Sequence, residues 1–493
     1  FLVGLALRIY SIYPNNIILG FDQARDLFAS KTIFTDGDIK IIGPTAGNNA
    51  NLHHGIAWIY FILPALVIFG GNPFWVSAWT SLFNVFSVFI VYELTKSLFK
   101  SKKAGLISAF LVSVPYYFIQ YAGWLSNPSP TLTTVPLFFL GIWKYSEKKN
   151  WGLVLSMFAL GLSIQFELFF IYLIPVLFLV CFVLKLGFPN LKTLLLSIGS
   201  FSLVTSTMIL TEFKFHFSGV LAILGAGQKV GGDSNLLENI PKYADRFLET
   251  FSQTIYPTNL VVGKSLGIIV ICLFIYLAFR NKKKTQALKT YLFVLIYLLS
   301  SCIMLVLGYH GAPWFLIGLA PAITVCVGFL LSKIKYSFLL FSILLLIFIS
   351  NFSAILQSSD GGQVLLGPDK AALISTQLAA IDYTYNQSLG EKFVISTVTN
   401  PLYINAVWSY HYDWYGKKYG YLPSWGGGDQ LYPYNTLQKQ NGEEKYLYLI
   451  IDQTPRIGEQ YRLDARNWAS KKGSQKVDTK EFEGILVEKY ILH

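Results

Sequence analysis

Apolar runs near the roughly 20 residues that cross a bilayer recur along the first 355 residues. They are 74–95, 104–121, 131–145, 151–165, 168–184, 192–212, 265–279, 287–308, 313–332 and 336–355. Of the 493 residues 53% are hydrophobic and 13% charged, against about 25% charged in soluble domains, so the chain reads as a polytopic membrane protein. It opens at Phe1 inside a hydrophobic stretch, and residues 1–13 are read as the distal part of a first spanning helix. Neither the basic region nor the cleavage site of a signal peptide is visible there.

Sidedness follows from charge. The net charge of +12 comes largely from Lys and Arg clusters at 96–103, 144–149, 185–192, 280–284 and 333–335, beside helix ends, which marks topology and not nucleic acid. All five clusters are cytoplasmic at once only if "LHHGIAWIYFILPALVIFGG" at 52–71 does not cross, but lies in or dips into the outer leaflet, broken by Pro64. That gives about eleven spanning helices over 1–355. The exoplasmic parts are then 14–73, 122–130, the turn at Gln165–Glu167, 213–263, the turn at His310–Pro313 and everything after about 356. Pro115, Pro136, Pro175, Gly161, Gly311 and Pro321 are expected at kinks. The four cysteines, 181, 272, 302 and 326, lie in apolar runs and read as core packing, not as disulfides or a metal site.

Residues 356–493 change character. "FVISTVTN", "GEEKYLYLIIDQ" and "EGILVEKYIL" read as strands and "PLYINAVWSYHYDWYGKKYG" as a helix, giving a small exoplasmic α/β domain. Its aromatics from Trp408 to Trp425 read as packing before sugar stacking.

Chemistry concentrates at the outer ends of the helices. "GFDQARDLFASK" at 20–31 places Asp22, Arg25 and Asp26 together at the start of a short amphipathic helix over 22–34. Asp22 suits a general base that takes a proton from an acceptor hydroxyl, while Arg25 holds it charged or contacts a phosphate. The bland alternative is a helix cap with an ion pair. His53 and His54 are candidate phosphate or substrate contacts, and a weak metal signal. Trp124 and Asn127 in "GWLSNPSP", Gln165 and Glu167 in "SIQFELFF", Glu212, Lys214 and His216, and His310 in "GYHGAPWF" are polar groups near membrane depth, where they are costly. No phosphate-binding glycine loop, HExxH or CxxC pattern supports a nucleotide or metal centre, so no cofactor is expected.

Several of these stretches resemble one family. "FDQARD", then "GP" and "HHG" before "WIYFILPALVIFGGNP", then "VYELTKSLFKSKKAGLISAFLVSVPYYFIQYAGWLSNPS" and, more weakly, "GLSIQFELFFIYLIP" and "GYHGAPWFLIGLAP" are similar to the C-type membrane glycosyltransferases of the protein O-mannosyltransferase and lipid A aminoarabinose transferase group. The resemblance covers roughly 1–335. It implies inverting transfer of a sugar from a polyprenyl-phosphate donor to a lipid, glycan or protein acceptor, on the exoplasmic face of the plasma membrane and without a nucleotide. Asp22 matches the family's loop carboxylate, the general base. Arg25, His54 and His310, in that order, are candidates to stabilise the leaving lipid phosphate, with Asp26, His53, Trp124, Asn127, Gln165 and Glu167 as further substrate contacts. Many relatives carry an acidic residue in the second outer loop where this chain has Asn127, which speaks against a metal bridged between the two loops. The rival reading is a transporter or flippase of lipid-linked saccharides, but no internal repeat is visible and the polar groups sit at outer ends, not at the midplane.

Overall fold

Over the described residues, the eleven apolar stretches named from the sequence fold as helices. The computed structural model describes residues 1–46, 51–226, 236–305, 312–358, 369–471 and 475–492. In chain order the helices are α1 (Leu2–Ile12), α2 (Phe21–Thr35), α3 (Ala57–Ile68), α4 (Pro73–Val85), α5 (Ser87–Phe99), α6 (Lys102–Ser113) and α7 (Tyr116–Ala122). There follow α8 (Thr131–Ser146), α9 (Asn150–Phe166), α10 (Leu173–Leu184), α11 (Leu191–Val204), α12 (Ser206–Lys214), α13 (Ser218–Ala226) and α14 (Leu236–Ile255). The last seven are α15 (Leu260–Arg280), α16 (Thr285–Leu299), α17 (Ala320–Ser332), α18 (Ser337–Ser358), α19 (Ile374–Ser388), α20 (Ala406–Trp414) and α21 (Glu459–Lys471).

Among the described residues five helical stretches are long and apolar enough to cross a membrane: 73–99, 260–280, 285–305, 313–332 and 337–358. The bent pairs α6–α7 and α11–α12 raise that to seven, and 2–12, 57–68, 150–166 and 168–184 are shorter apolar helices. Eleven is reached only if short helices are counted as crossings too.

The chain divides into two compact units. The first comprises Phe1–Ser11, Lys40–Trp58 and Thr80–Ser358; the second comprises Ile12–Ile39, Ile59–Trp79 and Ser359–His493. In the first unit, Gly141 of α8 and Gly152 of α9 face one another. A Cβ on Gly152 would stand 2.6 Å from the Gly141 carbonyl oxygen, so only glycine lets these backbones approach so closely.

Both bends in this unit have chemical causes. Between α6 and α7 the axis turns by 57° at Pro115, which has no N–H to continue the ladder. Buried Arg8 of α1 donates to the carbonyls of Val112 and Ser113 at that break, at 3.2 Å each, and to Gly4 at 2.8 Å. The 67° turn between α11 and α12 falls at Thr205, whose hydroxyl bonds back to the Phe201 carbonyl at 2.8 Å, an arrangement that bends helices. Of the cysteines, Cys326 is buried and Cys181 and Cys302 are half-buried, but Cys272 is exposed on α15, so the core-packing reading fails there.

In the second unit a five-stranded sheet has the order β2-β1-β3-β5-β4, from β1 (Phe393–Val398), β2 (Ser424–Trp425), β3 (Tyr446–Asp452), β4 (Gln475–Phe482) and β5 (Ile485–Ile491). β1 runs parallel to β2 and β3, while β5 runs antiparallel to β3 and β4. The apolar runs of β1 and β3 suit strands covered on both faces. β4, "QKVDTKEF", is an exposed edge whose charges resist further pairing. Val394, Leu447, Leu449, Ile451 and Tyr490 form a core with Ala469 of α21. Trp408, Tyr410 and Tyr412 of α20 are buried, and Phe28 of α2 meets Tyr410 edge-on at 5.2 Å, so this part of the aromatic stretch packs the interior.

Candidate functional site

Where α9 ends, three of the sequence-chosen residues meet. Glu167 caps the break after α9 with 3% of its side chain exposed, and its Oε1 lies 3.3 Å from Nδ1 of His54. Asn127 donates its amide to Glu167 Oε2 at 3.2 Å and to the Phe166 carbonyl at 2.7 Å. Burial pushes the Glu167 carboxyl up to about 8, although bonds from the Phe169 N–H and Asn127 work the other way. The Leu168 N–H also points at His54 Nδ1, from 3.5 Å, so that nitrogen is an acceptor.

Gln165 bridges three elements. Its Nε2 donates to the Val204 carbonyl and to the Thr207 hydroxyl, both at 2.9 Å, filling the bend between α11 and α12. Its Oε1 accepts the Ala57 N–H at 3.3 Å, which ties the start of α3 to the end of α9. Gly55 makes this possible, because a Cβ there would stand 2.5 Å from the Gln165 backbone oxygen.

Residues 43–46 run antiparallel to 52–54, with Ala46 N–H on Leu52 O at 2.7 Å, His54 N–H on Pro44 O at 2.9 Å and a bridge between Thr45 and His53. In such extended chain consecutive side chains point to opposite faces. His53 therefore turns away from Glu167, and its Nδ1 donates to the Gly43 carbonyl at 3.0 Å. Trp124 is buried, 6.1 Å from the ring of Trp314. Glu212 accepts the Val220 N–H at 3.1 Å. His310 lies outside the described residues.

The second unit holds the acidic cluster. α2 begins at Phe21 with Gly20 as its cap, whose N–H is taken by Gln23 Oε1 at 3.0 Å. Asp22 stands in the first turn, where the helix dipole favours negative charge; Asp26, expected in that turn, is one turn further on. Arg25 donates to Asp22 at 2.7 Å and to Asp26 at 2.9 Å. Asp22 is 65% exposed and Asp26 4%, so the two carboxylates differ sharply in access. Burial disfavours the Arg25 charge, but Asp26 and Asp22 outweigh it, and the guanidinium holds its proton more tightly than usual. Further along α2, Lys31 is paired with Asp413 of α20, a contact the sequence gives no means of finding.

Among the described residues no three His, Cys, Asp or Glu side chains are grouped to hold a metal ion.

Residues 53–209 match the family model described as dolichyl-phosphate-mannose-protein mannosyltransferase, and this segment contains His54, Asn127 and Glu167. That matched segment is of a membrane glycosyltransferase family, and the chain carries several helices long and apolar enough to cross a membrane. Its fold is that of ArnT from Cupriavidus metallidurans, in structures bound to undecaprenyl phosphate and in the apo state. Each matches at a TM-score of 0.62 and 11% identity over 99% of this chain and 96% of that one. The archaeal oligosaccharyltransferase AglB from Archaeoglobus fulgidus, in complex with an inhibitory peptide and a dolichol-phosphate, matches at a TM-score of 0.44 and 14% identity, over 91% of this chain and 68% of that one. No curated protein matches the chain by sequence.

Proposed function

We propose that this glycosyltransferase moves a sugar from a polyprenyl-phosphate donor to a lipid, glycan or protein acceptor on the exoplasmic face of the plasma membrane, with inversion at the anomeric carbon. The observation that carries the reading is that the buried His54–Glu167–Asn127 group falls inside the segment matched by a polyprenyl-phosphate-sugar transferase model. An eleven-span topology, with the lysine clusters inside and the 356–493 domain outside, belongs to the same proposal.

In the reaction the acceptor oxygen bonds to the anomeric carbon as the bond from that carbon to the phosphate oxygen breaks. The acceptor's proton goes to Asp22, an open carboxylate in the first turn of α2 that pairs with Arg25. The polyprenyl phosphate leaves with the bonding electrons and needs a cation or donor. Arg25 is already balanced by two carboxylates, so His54 takes first place for that role, ahead of Arg25 and His310. Asp26, His53, Trp124, Asn127, Gln165 and Glu167 remain proposed substrate contacts. The transporter reading is not favoured, since the matched family is one of transferases.

The test is transfer of label from a radiolabelled polyprenyl-phosphate sugar by the purified protein, beside Asp22→Asn and His54→Asn, with an EDTA arm. Loss of transfer in Asp22→Asn with an unchanged melting profile, and no effect of EDTA, is the expected result. Full activity in Asp22→Asn removes it as the base.

A further inference from the structure

At the opposite end of α9 from Glu167, about 25 Å away for 17 residues, lies a cavity of about 390 Å³ that the transfer reaction does not use. Lys148, Lys185 and Lys289 line it together with Tyr145, Phe188 and Asn190, and no Asp or Glu does. Among the described residues none of the three lysines pairs with a carboxylate; the nearby Glu147 is taken by Lys100 and Lys144.

The walls are built, not incidental. Tyr145 donates its hydroxyl to the Gly187 carbonyl at 2.8 Å, fixing the 185–190 segment, and Lys289 Nζ donates to the Leu184 carbonyl at 2.5 Å. Asn190 caps α11 by accepting the Thr193 N–H at 2.8 Å. Asn150 and Gln286 also line the cavity, so the N-terminal turns of α9, α11 and α16 all open onto it. Lys148 and Lys185 hold φ of 67° and 53°, a region where glycine is the relaxed choice, yet the chain keeps a cation at both. Phe188, which lines the cavity, is 91% exposed.

We propose that this cavity binds an anionic phosphate group, carried by a lipid headgroup or by a soluble phosphate ester. Three cations, three helix N-termini and no competing carboxylate supply the charge complementarity, and basic pockets between membrane helices are suited to phospholipid headgroups. The exposed Phe188 suits the lipid source.

The experiment uses the full chain in neutral detergent and measures its melting temperature against added phosphatidylglycerol, phosphatidylcholine, inorganic phosphate and glycerol phosphate. It compares the wild type with Lys148→Gly/Lys185→Gly, which relaxes both backbones while removing the charges, and with Lys282→Gln/Lys283→Gln, an equal charge loss outside the cavity. Phosphatidylglycerol is expected to raise the wild-type melting temperature at low concentration, with affinity on the order of tenfold weaker in the glycine pair and retained in the control. Stabilisation by phosphate or glycerol phosphate that is likewise lost in the glycine pair alone supports the site with a soluble ligand. Equal responses to phosphatidylglycerol and phosphatidylcholine with none to either phosphate, or equal losses in both variants, overturn it. Sugar transfer does not enter this readout, so failure of the catalytic reading leaves it standing.

Discussion

Replacing Glu167 by Gln tests where the proton in the buried pair resides. Glutamine keeps the shape, can still accept from Asn127 and can donate from its amide to His54 Nδ1, so the contacts at 3.2 and 3.3 Å survive while the ionisation is removed. In the folded protein the carboxyl holds its proton to about pH 8, against about 4.5 ordinarily. Across that window the folded state binds more protons than the unfolded one, so stability falls as pH rises, by at most ~1.4 kcal/mol per pH unit. The contribution is fully present below about pH 4.5 and is gone above about pH 8. Summed over the window it is on the order of 5 kcal/mol, an upper bound if water reaches the group as it ionises. The assay is the melting temperature of both proteins from pH 5 to 9, read as a difference so that other titrating groups cancel. The two should nearly coincide at pH 5, with the glutamine variant increasingly the more stable toward pH 8 and the gap constant beyond. Parallel profiles, or a gap that opens toward acid, would refute a protonated Glu167.

Three further outcomes follow from packing. Gly55→Ala forces a methyl against the Gln165 backbone and should cost about 1–3 kcal/mol or more, read as a lower melting temperature with loss of transfer. Arg8→Leu leaves the carbonyls freed at the Pro115 break without their donor and should destabilise by about 2–4 kcal/mol, visible in the same melting assay. Asn127→Asp removes the donor to the Phe166 carbonyl and sets a second carboxyl beside Glu167; the expected loss is about 1–3 kcal/mol, larger at pH 9 than at pH 6.

What was legible in the sequence is what repeats or clusters. Apolar runs of membrane length located every helix of 1–355 that carries one, and Pro115 marked a bend because proline has no N–H to continue the ladder, whereas Pro64 and Pro136, also read as breaks, sit inside continuous α3 and α8. The bend at Thr205 was missed, because a threonine hydroxyl turning back on its own helix leaves no mark that distinguishes it from other threonines. Strands β1, β3 and β5 were read from their apolar runs, while polar β4 and charged α21 were not, since their place is fixed by partners far along the chain. Asp22 and Arg25 are neighbours on one helix turn and were legible as a pair. That His54 meets Glu167 while His53 does not depends on extended backbone at 52–54, which the adjacent histidines alone do not reveal.

The second unit draws on the chain at 12–39, at 59–79 and again only after 358. Its pairings span long stretches: Lys31 finds Asp413 across 382 positions, and Tyr410 donates to the Gly71 carbonyl across 339. At a ribosomal pace of about 5–20 residues per second, Lys31 waits roughly 20 to 75 s after its own synthesis for its partner to be made. During that interval Phe28 lacks the rings of Tyr410 and Tyr434 that it later packs against. Nascent chains of this protein are therefore exposed to misassembly and to proteases until α20 is made, because α2 is sheltered by a segment synthesised long after it.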